Sequence, residues 1–145
     1  MGKMNLKLVT FVLVFYLSGG VLHADLDEWG VLRLRSLVYP PIAATAQISG
    51  RVELRLILDR DGTVIDSEVL SGHAVLAKAA QENAAEWLFQ RKEAREDLDK
   101  EGEFLLIYEF RFEDDLCPST SCPTTFWFEA PNRVSVIRKP PHWQP

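Results

Sequence analysis

Residues 50–70 read GRVELRLILDRDGTVIDSEVL, and this stretch decides the fold. Across 51–58, Val52, Leu54, Leu56 and Leu58 fall on one side of an extended chain, and Arg51, Glu53, Arg55 and Ile57 on the other. A period of two predicts a strand with one core face and one largely solvated face. Asp59-Arg60-Asp61-Gly62 comes next, where glycine supplies the positive φ of a hairpin turn. The partner strand covers 63–70, with Val64, Ile65, Val69 and Leu70 apolar. Asp59, Asp61, Gly62 and Asp66, with Glu68 further on, also invite a calcium reading. An EF-type loop needs its first oxygen ligand where Ile57 stands, so a turn is the better reading.

Towards the C-terminus the period changes to between three and four. Leu76, Ala80, Ala84, Trp87 and Leu88 share one helical face with Ala79 beside them, while Lys78, Gln81, Glu82 and Glu86 point away. Ser71 and Gly72 are N-cap candidates, and His73 reads as a solvated first-turn residue. Small alanines let this helix lie close on a sheet, and Trp87 and Phe89 close its end as core residues. The charged run 90–102 reads as a helical extension or loop ending at Gly102. A second strand covers 103–112: Phe104, Leu106, Tyr108, Phe110 and Phe112 alternate with Leu105, Ile107, Glu109 and Arg111. Its first half is apolar on both sides, which predicts a central or covered strand. The expected core is therefore Val52, Leu54, Leu56, Leu76, Ala80, Ala84, Trp87, Phe89, Phe104, Leu106, Tyr108 and Phe110.

Residues 125–129 (TFWFE) and 133–138 (RVSVIR) read as a further hairpin around Ala130-Pro131-Asn132. Before them, Cys117 and Cys122 are separated by four residues. In an oxidising compartment this pair reads as a disulfide that pins a turn. A zinc site would need two more ligands, and His73 and His142 do not group with the cysteines. Residues 139–145 are a proline-rich tail expected to fray.

Towards the N-terminus, Tyr39-Pro40-Pro41 precedes a short helix over 42–47, since proline suits a first turn. Residues 25–38 form a lead-in that reads equally as strand or helix. Lys3 and Lys7 precede the apolar run 8–17, and Ser18-Gly19-Gly20 breaks it ahead of Ala24. This pattern predicts a secretory signal over 1–24, the run being well short of the ~20 residues of a membrane helix. The alternative is an uncleaved N-terminal anchor. Without 1–24 the chain loses two of its 16 basic residues and none of its 21 acidic ones, leaving a net charge of −7. That balance excludes a nucleic-acid-binding surface of clustered Lys and Arg. No Ser-His-Asp set, Cys-His pair, phosphate-binding glycine loop or carboxylate pair stands out, so the reading is non-enzymatic and calls for no cofactor. Antiparallel strands with one main helix predict an α+β fold, a two-layer sandwich over 39–138 with an added hairpin at 125–138.

The stretch 39–112 resembles the TonB C-terminal domain. Tyr39-Pro40-Pro41 with Ala43 and Ala46, then Gly50-x-Val52, is similar to that family's opening. Asp61-Gly62-x-Val64 resembles its hairpin. Val69-Leu70-Ser71 leading into Leu76, Ala79, Ala80 and Ala84 resembles its passage from strand to helix, and Trp87-Leu88-Phe89 resembles its helix end. The resemblance implies a periplasmic module that binds extended segments of envelope proteins, such as outer-membrane receptors, by strand addition, with a link to transmembrane transport. The implied docking edge lies along Glu103, Leu105, Ile107, Glu109 and Arg111. If 125–129 caps that edge, the free edge becomes Arg133, Val134, Val136 and Arg138. An edge-paired homodimer is the alternative. The chain departs from the family's energy transducers in two ways. Ser18 and His23 lie in the signal rather than in a membrane helix, and no long proline-rich spacer precedes Tyr39.

Overall fold

The computed structural model describes residues 28–92, 101–114 and 122–140. Among these the elements run, in chain order, β1 (Trp29–Arg33), α1 (Pro41–Thr45), β2 (Gly50–Leu58), β3 (Val64–Ser71), α2 (Ala74–Ala84), β4 (Leu88–Arg91), β5 (Gly102–Phe112), β6 (Thr124–Glu129) and β7 (Arg133–Arg138). They form a five-stranded sheet in the order β3-β2-β5-β7-β6, and a two-stranded sheet of β1 and β4. The fold is α+β.

Alternation in the sequence becomes layering. Val52, Leu54, Leu56 and Leu58 of β2 are buried, as are Phe104, Leu106, Tyr108 and Phe110 of β5 and Val134 and Val136 of β7. Antiparallel register sets Val52 against Tyr108, Leu54 against Leu106 and Leu56 against Phe104. Helix α2 packs on β2 and β3 through a face containing Leu76, Ala77, Ala80 and Ala84, all buried. The opposite face of the large sheet carries Arg55, Glu103, Arg111, Arg133 and Trp127, all exposed.

A buried amide ties the layers together. Asn83 of α2 donates through Nδ2 to the carbonyls of Arg35 (3.1 Å) and Ser36 (3.3 Å). Its Oδ1 accepts from Trp87 Nε1 (3.1 Å) and from the Tyr108 hydroxyl (2.8 Å). Both donors and both acceptor sites of the amide are thus used, which is what makes a buried asparagine tolerable. Burial also raises the Tyr108 hydroxyl pKa.

Two local expectations are corrected and one left open is resolved. The helix N-cap is His73, whose Nδ1 accepts from the Val75 N–H at 3.3 Å; Ser71 instead ends β3. Residues 88–91 are a strand, so Leu88 is not on the helix and the run from Gln90 does not begin as a helical extension or loop. Phe89 donates to the Gly62 carbonyl at 2.8 Å and the segment pairs with β1, so tertiary pairing outweighs local charge. The same pairing resolves the lead-in as strand β1. Trp29 and Phe89 fill the end of the core, and Arg91 lies 4.7 Å over the Trp29 ring while its Nη1 meets Glu28 at 2.7 Å. A Cβ at Gly102 would overlap the Trp29 ring, which explains glycine at the start of β5.

Candidate strand-addition edges

Where a backbone can accept another strand depends on which residues turn their N–H and C=O groups outwards. In β5, Ile107 donates to the Asn132 carbonyl at 2.9 Å, and Asn132 Nδ2 donates to the Leu105 carbonyl at 3.0 Å. Odd-numbered residues of β5 therefore face β7. Strand β7 runs parallel to β5, with Ile107 opposite Arg133 and Phe112 opposite Arg138. The expected docking edge is thus occupied at Ile107, Glu109 and Arg111. Only Glu103 and Leu105 lie beyond the start of β7, and the Leu105 carbonyl is already taken.

The hairpin caps β5 in the reverse of the expected order. Strand β7, not β6, lies next to β5, so Arg133, Val134, Val136 and Arg138 are interior to the sheet, with β6 on their other side. Burial explains the choice. Val134 sits opposite Tyr108 and Val136 opposite Phe110, and both valines are fully buried, whereas Phe126 and Phe128 of β6 are half-buried.

The two outer edges of the sheet, β3 and β6, are built differently. On β3, the outward residue Ser67 is satisfied locally: its N–H donates to Asp66 Oδ1 at 2.8 Å, and its carbonyl accepts from Gln81 Nε2 of α2 at 3.0 Å. Register shifts between Glu53 and Leu54 and between Ile57 and Leu58 bend the same edge. Bulges and covering side chains are recognised means of blunting an edge. On β6, Thr125, Trp127 and Glu129 pair with Ile137, Ser135 and Arg133 of β7. Because even-numbered β7 residues face β5, the odd ones face β6. That leaves Thr124, Phe126 and Phe128 with outward backbone groups. Among the described residues no backbone hydrogen bond reaches them from outside the sheet. Tyr39 N–H does reach the Thr124 hydroxyl at 3.2 Å, which fixes the start of the strand.

The side chains of β6 divide between the two faces. Phe126 and Phe128 are half-buried, with ring centroids 6.5 and 5.7 Å from Trp87. On the open face Trp127 is 65% exposed, with Thr125 and Glu129 exposed on either side. Behind the edge, Tyr39 packs against Phe110 and Phe112 and donates its hydroxyl to the Ile48 carbonyl at 2.7 Å. Burial pushes its pKa up to about 12 against the opposing pull of Arg138.

No group of three or more His, Cys, Asp or Glu side chains able to hold a metal occurs among the described residues. Cys122 is buried, while Cys117, and with it the expected disulfide, lies outside the described residues. So do the expected signal and residues 141–145 of the tail. No helix among the described residues is long and apolar enough to cross a membrane.

The family profile of the Gram-negative bacterial TonB protein C-terminal matches residues 35–112, more than half of the 145-residue chain. The chain belongs to this family. The matched residues run from the lead-in through β5 and stop there, so β6 and β7 lie outside the TonB C-terminal match. No curated protein matches the chain. Among solved structures, it is similar to the TonB C-terminal domain of Pseudomonas aeruginosa, determined by solution NMR. The two are 20% identical with a TM-score of 0.45, over 57% of this chain and 85% of that one.

The open edge at Thr124, Phe126 and Phe128 was missed by sequence reasoning, although a signal for it existed. Val-x-Val between polar ends suits an interior strand, whereas TTFWFE ends in a carboxylate and begins with two threonines, as an edge strand does.

Proposed function

We propose that this chain is a non-enzymatic, protein-binding module of the periplasm that takes up extended segments of envelope proteins by strand addition, with β6 as the docking edge. One observation carries the reading: of the two outer edges of the large sheet, β3 has its outward Ser67 backbone engaged by Asp66 and Gln81, while on β6 no backbone partner reaches Phe126 and Phe128 among the described residues. An extended peptide laid along β6 would recover those hydrogen bonds, and the side chains on either face would supply selectivity. Outer-membrane receptor segments are one class of client that such a module suits.

The test uses the full chain as bait on periplasmic and outer-membrane extract, followed by amide hydrogen exchange on the complex recovered. Strand addition slows exchange at Phe126 and Phe128 and leaves Ser67 unchanged. Protection that avoids β6, or that appears at β3, overturns the reading. The second reading, an edge-paired homodimer, is favoured by the same open strand, because an antiparallel pair of identical edges obeys two-fold symmetry. Light scattering separates the two: a β6-paired dimer has twice the monomer mass without any client.

A further inference from the structure

Resting on strand addition at β6, we infer that the added strand alternates apolar and basic residues and sets an arginine or lysine beside Trp127 and Glu129 on the open face of the sheet. The pairing pattern fixes the placement. Thr125, Trp127 and Glu129 turn their own backbone groups inwards to β7. In an antiparallel addition they therefore occupy the non-hydrogen-bonded sites, where opposing Cα atoms come within about 4.5 Å and side chains are closest. Residues of the client opposite Phe126 and Phe128 lie instead on the helix side, against two half-buried rings that favour apolar partners.

The chemistry of the open-face row selects a cation. Trp127 presents an indole that is 65% exposed, the best side-chain platform for a cation–π contact. Two residues along the strand on the same face stands Glu129. Its register partner Arg133 has its guanidinium 4.0 Å from Glu109, across β7, and among the described residues no ion pair of Glu129 is seen. A long basic side chain opposite either residue reaches both, since diagonal neighbours across a pair are within range of such chains. The net charge of −5 adds a longer-range preference for a basic client.

The same row argues against a second copy as the occupant. The strand Thr124-Thr125-Phe126-Trp127-Phe128-Glu129 contains no basic residue. Antiparallel self-pairing of β6 thus brings no cation to Glu129, and one register sets Glu129 against itself.

The test titrates the full chain with two capped nine-residue peptides, one alternating valine with arginine and the other valine with glutamate. Each is also made N-methylated on alternate residues in either phase. The arginine peptide is expected to bind at least about tenfold more tightly. Glu129→Lys reverses that preference, and Trp127→Ala weakens the arginine peptide several-fold. Glu82→Lys, the same charge change on the exposed side of α2, leaves the ratio in place. One phase of N-methylation abolishes binding and the other does not, because only one edge of the peptide pairs. Equal affinities, or a ratio untouched by Glu129→Lys, overturn the inference while phase-dependent N-methylation leaves strand addition standing. Binding indifferent to the phase of N-methylation overturns strand addition and the inference with it. A chain that binds neither peptide overturns the inference as well, and if it also sediments as a dimer the occupant is a second copy.

Discussion

Replacing Asn83 with alanine removes a hub rather than a single contact. The substitution leaves the Trp87 indole N–H and the Tyr108 hydroxyl without their acceptor, in a region where Trp87 is 2% and Tyr108 0% exposed. A buried polar group stripped of its partner costs about 1–3 kcal/mol. The carbonyls of Arg35 and Ser36 lose their donor too, but both residues are exposed and recover water. The expected loss is therefore set by two orphaned groups, about 3–5 kcal/mol in all. Against a typical total of about 5–15 kcal/mol this is a large fraction. At about 4–8 °C per kcal/mol for a domain near a hundred residues, Tm falls by roughly 12–40 °C. Urea unfolding followed by tryptophan fluorescence gives the free energy, and an unchanged slope shows that the folded state is preserved. The decisive comparison adds Tyr108→Phe. With its hydroxyl gone Tyr108 no longer needs Asn83, so the double variant loses less than the two single losses added together, by about 1–2 kcal/mol. An Asn83→Ala chain within about 1 kcal/mol of the parent, or strictly additive losses, would refute the hub.

Alkaline unfolding tests the buried tyrosines. Burial raises Tyr108 and pushes Tyr39 up to about 12, whereas an unfolded tyrosine titrates near about 10. The folded state then holds protons that the unfolded chain releases. This contribution is intact below about pH 10 and is lost as pH climbs through about 12, and Tyr39→Phe should flatten the fall in urea midpoint over that window. Glycine substitutions separate strain from open space. Gly62 has φ +82° and a Cβ there would overlap the Phe89 carbonyl, so Gly62→Ala should cost more than about 2 kcal/mol. Gly30→Ala meets only Lys92 and a carbonyl at 3.6 Å or beyond and should stay within about 0.5 kcal/mol in the same denaturation assay.

The central layer was legible in the sequence because its signal is local and repeated. Val52 to Leu58 and Phe104 to Phe110 each alternate over four core positions, and a period of two that long admits one reading. The helix was legible from Leu76, Ala80 and Ala84 for the same reason. Strand β4 was hidden because Gln90, Arg91 and Lys92 look solvated. Its extended state comes from Trp29–Arg33 across the small sheet and from Gly62, partners distant along the chain. Asn83 was hidden as well: a lone amide on a helix gives no sign that a lead-in, an indole and a phenol will converge on it. The order of the hairpin strands was not legible, because adjacency along the chain favours β6 beside β5. Parallel pairing of β7 requires the chain to pass outwards and return, and it buries Val134 and Val136 against Tyr108 and Phe110, contacts distant along the chain.

The treatment of the two edges bears on what the added hairpin does. An open edge is a template for unwanted pairing, and natural sheets blunt theirs with bulges, charges or covering groups. This chain applies those devices to β3, inside the family-matched residues, where two register shifts and the Asp66 and Gln81 side chains engage Ser67. It also covers β5 from Ile107 to Phe112, which the common part alone would leave open. Had the hairpin served only to seal β5, a terminal strand blunted like β3 would be expected. Strand β6 instead has no backbone partner at Phe126 and Phe128 among the described residues, carries neither proline nor lysine, and holds Trp127 exposed beside them. The hairpin moves the outer edge of the sheet two strands beyond β5 and changes the side chains presented there, with residues that lie outside the matched 35–112.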